Sequence, residues 1–125
     1  MDYVEAADRL PGYLAYAADV VVGVLLVSQH FPESAEIHLV AVDPRYHRCG
    51  IGRALLDAAE RDLAARAVRF LQVKTLAASD PSEEYARTRR FYQARGFTPL
   101  EELDGIWPGN PCLLMVKALG RAAVQ

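Results

Sequence analysis

Residues 42–56 constrain the fold more than any other part of the sequence, because they run from a strand through a glycine-containing loop into a helix. Asp43 and Pro44 end the strand, since proline cannot donate to a β-ladder. From Gly52 to Val68 the apolar residues recur at helical spacing, which predicts a long amphipathic helix. The segment therefore predicts a strand followed directly by a helix that packs on a sheet.

The same loop has the properties of an anion-binding site. Gly50 and Gly52 let the backbone approach a ligand without interference from a Cβ atom, and the first N–H groups of the helix lack partners within it. Arg48 and Arg53 add positive charge. Hydrogen bonds to charged groups contribute about 1.5 to 3 kcal/mol each, so four or five donors could hold a diphosphate. A glycine turn that only joins strand to helix is the alternative.

Two common nucleotide-binding motifs do not fit this loop. A dinucleotide-binding fingerprint requires a third glycine or alanine at the position of Leu55. The phosphate-binding sequence GxxxxGK[ST] is not present either. The loop therefore favours an anion site of another kind.

The pattern along the rest of the chain predicts an α/β (α+β) fold, a mixed sheet flanked by helices. Residues 1–10 form at best a short helix. The last two strands are joined by a loop at 104–110. The predicted strands are 12–18, 20–28, 36–42, 70–76, 97–103 and 111–119, and the predicted helices are 52–68 and 83–95, the second behind Ser82 as N-cap.

Length and charge exclude several classes of protein. A chain of 125 residues fits one domain, which we expect to span residues 1–125. Residues 1–8 lack the features of a secretory signal, and no apolar run reaches the ~18 residues of a membrane-spanning helix. The net charge of -2 gives no general attraction to nucleic acid. We expect a cytoplasmic protein that binds neither membrane nor nucleic acid.

The cysteines and histidines do not predict a metal site. Cys49 and Cys112 lack a CxxC spacing, so we expect free thiols. His30, His38 and His47 come from different strands and a loop, without the spacing of metal ligands. We therefore expect no metal.

Residues 47–52, His-Arg-Cys-Gly-Ile-Gly, resemble motif A of the GNAT superfamily of N-acetyltransferases, [QR]-x-x-G-x-[GA]. His47 stands where the family most often has glutamine or arginine. Residues 91–97 resemble the family's helix-to-strand signature, an aromatic residue followed by Tyr-x-x-x-Gly-Phe. The likeness extends over about residues 12–119. It implies a GNAT-type mixed, mostly antiparallel sheet that lacks part of the usual N-terminal strand-helix segment.

The resemblance also implies acetyl-CoA as cosubstrate and no metal. In the family, the loop amides hold the CoA pyrophosphate and the preceding strand pairs with the pantetheine arm. A strand amide, of Ala41 or Val42, would polarise the thioester carbonyl. Carried over to this sequence, the cosubstrate site comprises Ala41, Val42, His47, Arg48, Cys49, Gly50, Ile51, Gly52 and Arg53.

The catalytic groups follow from the same resemblance. Glu36 lies in an Ala-Glu-Ile segment like the one that carries the general base in the histone-acetylating branch. A base is needed because exposing the lone pair of an amine at pH 7 costs about 4.6 kcal/mol. His38 is the substitute base, and Tyr92 is the acid that donates to the departing sulfur. The alternatives are a solvated strand-edge charge for Glu36 and a core role for Tyr92.

Three further features receive a preferred interpretation. Cys49 faces the phosphates through its amide, which disfavours a covalent role for its thiol. Trp107 either forms a wall of the acceptor pocket or fills a gap in the core. Four arginines on the second helix lie near two glutamates, so we expect a solvated, ion-paired face: Arg87, Arg89, Arg90 and Arg95 with Glu83 and Glu84.

Together these features predict an N-acetyltransferase that moves an acetyl group to a primary amine of a small molecule or peptide by direct attack. The alternative is a non-catalytic acyl-CoA-binding sensor. Most relatives carry another strand and one or two helices before the first hairpin, where this sequence offers residues 1–11. Three explanations stay open: an unusually open pocket, a homodimer whose second subunit completes it, or a start upstream of Met1.

Overall fold

The computed structural model describes residues 2–7, 11–77 and 82–120. A short 3-10 helix, Pro44–Tyr46, precedes the first α-helix. The elements in chain order are β1 (Tyr3–Ala6), β2 (Gly12–Ala17), β3 (Val20–Phe31), β4 (Ser34–Val42), α1 (Ile51–Ala65), β5 (Phe70–Leu76), α2 (Glu83–Ala94), β6 (Thr98–Trp107) and β7 (Asn110–Ala118).

The strands form one sheet in the order β1-β2-β3-β4-β5-β7-β6. Neighbouring strands are antiparallel except β4 and β5, which pair in parallel from Ser34 opposite Phe70 to Ile37 opposite Val73. Beyond that last pair β4 and β5 separate, while β5 stays paired with β7 as far as Leu76. The mixed, mostly antiparallel sheet expected from the sequence is confirmed.

Helix α1 supplies much of the core. Its apolar residues lie on one stripe and are buried against the sheet: Ile51, Leu55, Leu56, Ala59 and Leu63. The helix crosses the sheet closely at Gly23, where an added Cβ atom would lie 2.8 Å from the Ile51 side chain. In the described part of the chain, neither α-helix has both the length and the apolar character needed to cross a membrane.

The hairpin of β2 and β3 confirms the predicted tight turn. Ala18 and Asp19 have φ angles of 49° and 66°, and they connect the two strands directly. Two successive residues with positive φ are typical of a two-residue hairpin turn whose twist matches that of its strands.

The expectation of a short helix at the N-terminus is wrong. Residues Tyr3–Ala6 form β1, which extends the sheet by pairing with β2 from Tyr3 opposite Tyr16 to Ala6 opposite Tyr13. The rings of Tyr3 and Tyr16 stack with centroids 4.7 Å apart. Pairing with a strand that follows later in the chain therefore overrides the weak local preference of this segment.

The predicted loop at 104–110 is also wrong. Strand β6 continues to Trp107 and β7 begins at Asn110, so that only Pro108 and Gly109 form the turn. The register shifts between Leu103 and Trp107, which lets Gly105 keep its positive φ of 84° within the strand. Glycine and asparagine in this stretch mark an irregular strand pair and not the end of the strands.

Candidate active site

A cleft of about 590 Å³ opens where β4 and β5 part. Residues 37–40 of β4 and 73–76 of β5 form its two sides, which we call the β4 arm and the β5 arm. Tyr92 of α2 and Trp107 of β6 contribute further walls. The cleft therefore lies between two strands of one sheet, where backbone groups and side chains are both available to a ligand.

A β-bulge at His38 shapes the β4 arm. Ile37 lies opposite Val27 and Leu39 lies opposite Leu26, so His38 is an additional residue without a partner in β3. Before the bulge Ile37 is buried in the core, and after it Val40 packs on the same core. His38 itself is exposed and lines the cleft.

The backbone of the β4 arm presents polar groups to the cleft side. Asp43 donates its N–H to the carbonyl of Val22 at 2.8 Å. In an antiparallel ladder, alternate residues face the same neighbour, so Ala41 also faces β3 while Val40 and Val42 face away from it. Of the two residues expected from the sequence, the ladder leaves Val42 for the cleft side, and it adds Val40.

Glu36 lies beside the last paired residues of β4 and β5 and does not line the cleft. Its carboxylate accepts hydrogen bonds from Lys74 Nζ at 2.9 and 3.1 Å, from Gln72 Nε2 at 3.1 Å and from His30 Nε2 at 2.8 Å. Lys74 itself lines the cleft. We call these four residues the Glu36 network; it joins β3, β4 and β5 at the apex of the cleft.

The Glu36 network stabilises the ionised carboxylate. Partial burial of Glu36 raises its pKa, but the hydrogen bonds from Lys74, His30 and Gln72 together outweigh that effect and leave the pKa below its usual range. A carboxylate that already accepts from three side chains is a poor proton acceptor. Glu36 as general base stays a prediction that its surroundings do not favour.

Tyr92 combines burial with access to the cleft. The residue is 5% exposed, and its ring makes edge-to-face contacts with Phe91 and Phe97 at centroid distances of 5.3 Å. Burial raises the pKa of the hydroxyl to about 12, so it remains protonated at neutral pH. The core role and the cleft role considered for Tyr92 are therefore compatible, since the ring packs in the core and the residue lines the cleft.

The loop before α1 adopts the geometry of an anion cradle. Arg48 and Gly50 have φ angles of 66° and 79°, and a Cβ atom on Gly50 would meet nothing within 4 Å. Ala54 makes the first helical bond, to the carbonyl of Gly50 at 3.0 Å. Within the described residues, the N–H groups from Gly50 to Arg53 donate no backbone hydrogen bond. This open space beside free donors fits a diphosphate.

Neighbouring side chains hold the loop in place. Ile51 is 1% exposed and anchors the start of α1 in the core. His47 donates from Nε2 to the carbonyl of Val42 at 3.0 Å, which ties the loop to the end of β4. Cys49 is exposed, and its N–H donates to the carbonyl of Tyr46 at 3.3 Å, so the expectation that this amide faces the phosphates is wrong. Ile51 and His47 thus fix the position of the backbone N–H groups of the loop, and the His47 side chain bonds to Val42.

A protein-family model matches the part of the chain that contains this loop. The model of an acetyltransferase (GNAT) domain matches residues 10–99, more than half of the chain. The chain belongs to the GNAT acetyltransferase family. A search of curated proteins found no match.

Solved GNAT structures share the fold of this chain. Ard1 from Thermoplasma volcanium is 24% identical with a TM-score of 0.77, and the match covers 88% of this chain and 71% of that one. The ribosomal-protein-S18-alanine N-acetyltransferase from Escherichia coli is 22% identical with a TM-score of 0.76, covering 95% and 75%. A GNAT family acetyltransferase from Elizabethkingia anophelis with acetyl-CoA bound is 22% identical with a TM-score of 0.73, covering 87% and 77%.

At these identities the likeness establishes the fold and not a shared substrate. Membership of the GNAT family supports an acyltransferase activity in general. The Elizabethkingia structure holds acetyl-CoA, and that ligand is a property of that protein.

The helix α2 differs from the expected ion-paired face. Arg90 pairs with Glu83 at 3.2 Å, seven residues earlier and almost two turns away. Arg89, in contrast, leaves the helix surface and donates from Nη1 to the carbonyls of Leu76 and Ala77. Helical spacing alone pairs residues of one helix, so it could not reveal this contact with β5.

Proposed function

We propose that the chain is an N-acetyltransferase that moves an acetyl group from acetyl-CoA to a primary amine of a small molecule or peptide by direct attack. The observation that carries the proposal is the parting of β4 and β5, which leaves the backbone of Val40 unpaired on the cleft side, in a cleft that Tyr92 also lines. Strand β4 leads from the cleft at Val40 into the loop, whose free N–H groups suit a diphosphate. A cosubstrate that followed this strand would place its acyl group in the cleft and its pyrophosphate at the loop.

The loop would hold the pyrophosphate through the amides of residues 50–53. Arg48 and Arg53 are exposed and add charge there. The cosubstrate supplies an activated acetyl thioester when bound. The amides of Val40 and Val42, which face away from β3, are the donors available to polarise its carbonyl.

We assign the general base to His38. His38 lines the cleft from the bulge, whereas Glu36 does not line it and accepts hydrogen bonds from three side chains. Imidazole is also the side chain that ordinarily changes charge between pH 5 and 8, which suits removal of a proton from an amine near neutral pH. In this assignment, Glu36 maintains the apex of the cleft.

Tyr92 acts as the acid. As the amine nitrogen bonds to the carbonyl carbon, the bond from that carbon to sulfur breaks, His38 takes the amine proton and Tyr92 donates a proton or hydrogen bond to the sulfur. A hydroxyl with a pKa of about 12 keeps its proton across the working pH range. Because a thiol leaves readily, Tyr92→Phe should lower kcat by about 10- to 100-fold and leave turnover measurable.

Structural relatives do not decide the acceptor. The E. coli relative is named for an alanine of a ribosomal protein, and another relative is an aminoglycoside 6'-N-acetyltransferase. Both act on amines, which supports an amine acceptor for this chain without selecting between a peptide and a small molecule.

A binding measurement followed by turnover tests the proposal. Acetyl-CoA at 100 times its Kd should stabilise the protein by about 2.7 kcal/mol, measured as a rise in Tm. Thiol release should then depend on an added amine, with a panel of peptides and small amines as acceptors. Cys49→Ala should turn over at the wild-type rate, because direct attack requires no acyl-cysteine. Stabilisation without turnover on any amine would favour the acyl-CoA sensor, and no stabilisation would contradict both.

His38→Gln separates the two candidate bases. The variant should lose at least 100-fold in kcat at pH 7 while the Kd for acetyl-CoA stays within about 2-fold. Glu36→Gln should retain most of the activity at a temperature where it is folded. The reverse result would return the role of base to Glu36.

A further inference from the structure

The far end of the β5 arm is held by a side chain of α2. Arg89 Nη1 donates to the carbonyl of Leu76 at 2.8 Å and to that of Ala77 at 3.1 Å, in a partly buried position. Among described residues, Arg89 is the α2 side chain that hydrogen-bonds to another element, since Thr88 and Arg90 bond within their own helix. The contact therefore joins two walls of the cleft.

The need for this contact arises from the parting of the strands. Ala77 donates its N–H to the carbonyl of Pro111 in β7 at 3.1 Å. By the alternation of the ladder, Ala77 and Thr75 face β7, so that Leu76 directs its carbonyl towards the side that β4 has left. Arg89 supplies the donor that a paired β4 would otherwise have provided.

We propose that Arg89 is a positioning residue, which ties α2 to the β5 arm and thereby sets the place of Tyr92 in the cleft. Arg89 precedes Tyr92 by three residues, so the two lie about one turn apart on the same side of α2. Tyr92 and Leu76 both line the cleft, and Arg89 donates to the carbonyl of Leu76. The catalytic part of this inference rests on the proposed role of Tyr92 as the acid.

The chemistry of arginine suits this position. A guanidinium is planar and always charged, and both hydrogen bonds come from Nη1, whose two N–H bonds have fixed directions within that plane. A lysine ammonium rotates on a flexible stem, so it can reach these carbonyls with less defined geometry. Arg89→Lys should therefore restore only part of what Arg89→Met removes.

The test compares Arg89→Met, Arg89→Lys and the matched control Arg90→Met, whose salt bridge with Glu83 is exposed at both ends. Arg89→Met should lower kcat by about 10-fold or more while the KM for acetyl-CoA changes less than 3-fold. Arg89→Lys should recover at least a third of the lost kcat. Arg90→Met should match wild type, since a surface pair contributes little.

A double-mutant cycle separates positioning from a general loss of stability. In the Tyr92→Phe background, Arg89→Met should lower kcat by less than 2-fold, because the hydroxyl that Arg89 positions is already missing. A further 10-fold loss in that background would overturn the proposal. So would a wild-type kcat in Arg89→Met itself.

Amide hydrogen exchange measures the effect of the contact between Arg89 and the β5 arm without requiring turnover. Amides of residues 88–94 should exchange at least 10-fold faster in Arg89→Met than in Arg90→Met, both without acetyl-CoA. Equal exchange in the two variants would overturn the link between α2 and the β5 arm. If wild type transferred no acetyl group, the proposed function and the catalytic part of the inference would both be contradicted, while faster exchange would still support the link.

Discussion

Replacing Glu36 by glutamine should destabilise the protein more than it slows the chemistry. Glutamine keeps the shape of the side chain but removes the charge that faces Lys74 at 2.9 Å. It also leaves one oxygen in place of the two that accept from Lys74, Gln72 and His30. The substitution therefore disrupts the Glu36 network at the apex of the cleft and leaves the backbone of β4 unchanged.

The magnitude follows from the burial of the pair. The side chains of Lys74 and Glu36 are 27% and 13% exposed, so the pair is only partly screened by solvent. Breaking a fully buried pair costs about 3 to 5 kcal/mol, and partial exposure reduces this to about 2 to 3 kcal/mol. A domain of this length loses roughly 3 to 5 °C of Tm per kcal/mol, so Tm should fall by about 6 to 15 °C.

Thermal melts and kinetics at 20 °C are the assay, with two comparison variants. Glu36→Gln combined with Lys74→Met removes both charges, so its stability should return to within about 1 kcal/mol of wild type. Glu60→Gln breaks the pair with Lys117, which is similarly enclosed at 25% and 17% exposure but does not line the cleft. Its Tm should fall comparably, with kcat unchanged.

One outcome would refute this reasoning. If Glu36→Gln remained folded at 20 °C by circular dichroism yet lost more than 100-fold in kcat, and the double variant regained Tm but not kcat, Glu36 would be the base. The lowered pKa of Glu36 adds a check on stability. Its contribution is present above the unfolded pKa of about 4.3 and lost as pH falls through the lower folded pKa, so the difference in Tm between wild type and Glu36→Gln should shrink only in that acid range.

Three further predictions concern packing, the loop and pH. Gly23→Ala should destabilise by about 1 to 3 kcal/mol in denaturant melts, because its Cβ would overlap Ile51 at 2.8 Å. Gly50→Ala should lower the free energy of unfolding by about 1 to 2 kcal/mol, because the residue has a φ of 79°. Gly52→Ala should raise the free energy of unfolding by up to about 1 kcal/mol through helix propensity, and it should retain acetyl-CoA binding by calorimetry. Because the pKa of Tyr92 is about 12, kcat should not fall on the basic side below about pH 10. The pKa of Tyr92 is higher in the folded protein than the ~10 of the unfolded chain, so its contribution to stability is lost as pH rises through 12. The difference in Tm between wild type and Tyr92→Phe should narrow over that range.

Local patterns in the sequence predicted the elements that local physics determines. The amphipathic spacing of α1, the proline that ends β4 and the glycines of the loop each act within a few residues of themselves. The strand β1 could not be predicted in this way, because its stability comes from pairing with β2, which follows later in the chain. The contact of Arg89 with Leu76 likewise depends on how two elements pack, which no spacing along one helix encodes.

The choice between Glu36 and His38 as general base depended on which face of β4 each side chain occupies. Strict alternation places Glu36 and His38 on the same face of β4, which made His38 the substitute for Glu36 as base. The bulge at His38 breaks that alternation, so His38 lines the cleft while Glu36 accepts hydrogen bonds from β3 and β5. A bulge depends on the register with the neighbouring strand, and sequence periodicity does not reveal it.

The two arms of the cleft have their outer carbonyls satisfied in the same manner. On the β4 arm His47 donates to Val42, and on the β5 arm Arg89 donates to Leu76. Each side-chain donor occupies an acceptor that the parting of the strands had left unpaired, while the backbone N–H groups beside those carbonyls receive no such partner from these side chains. The balance of unpaired backbone groups thus shifts towards donors, which favours a ligand rich in carbonyl oxygens, as the pantetheine amides and the thioester of acetyl-CoA are.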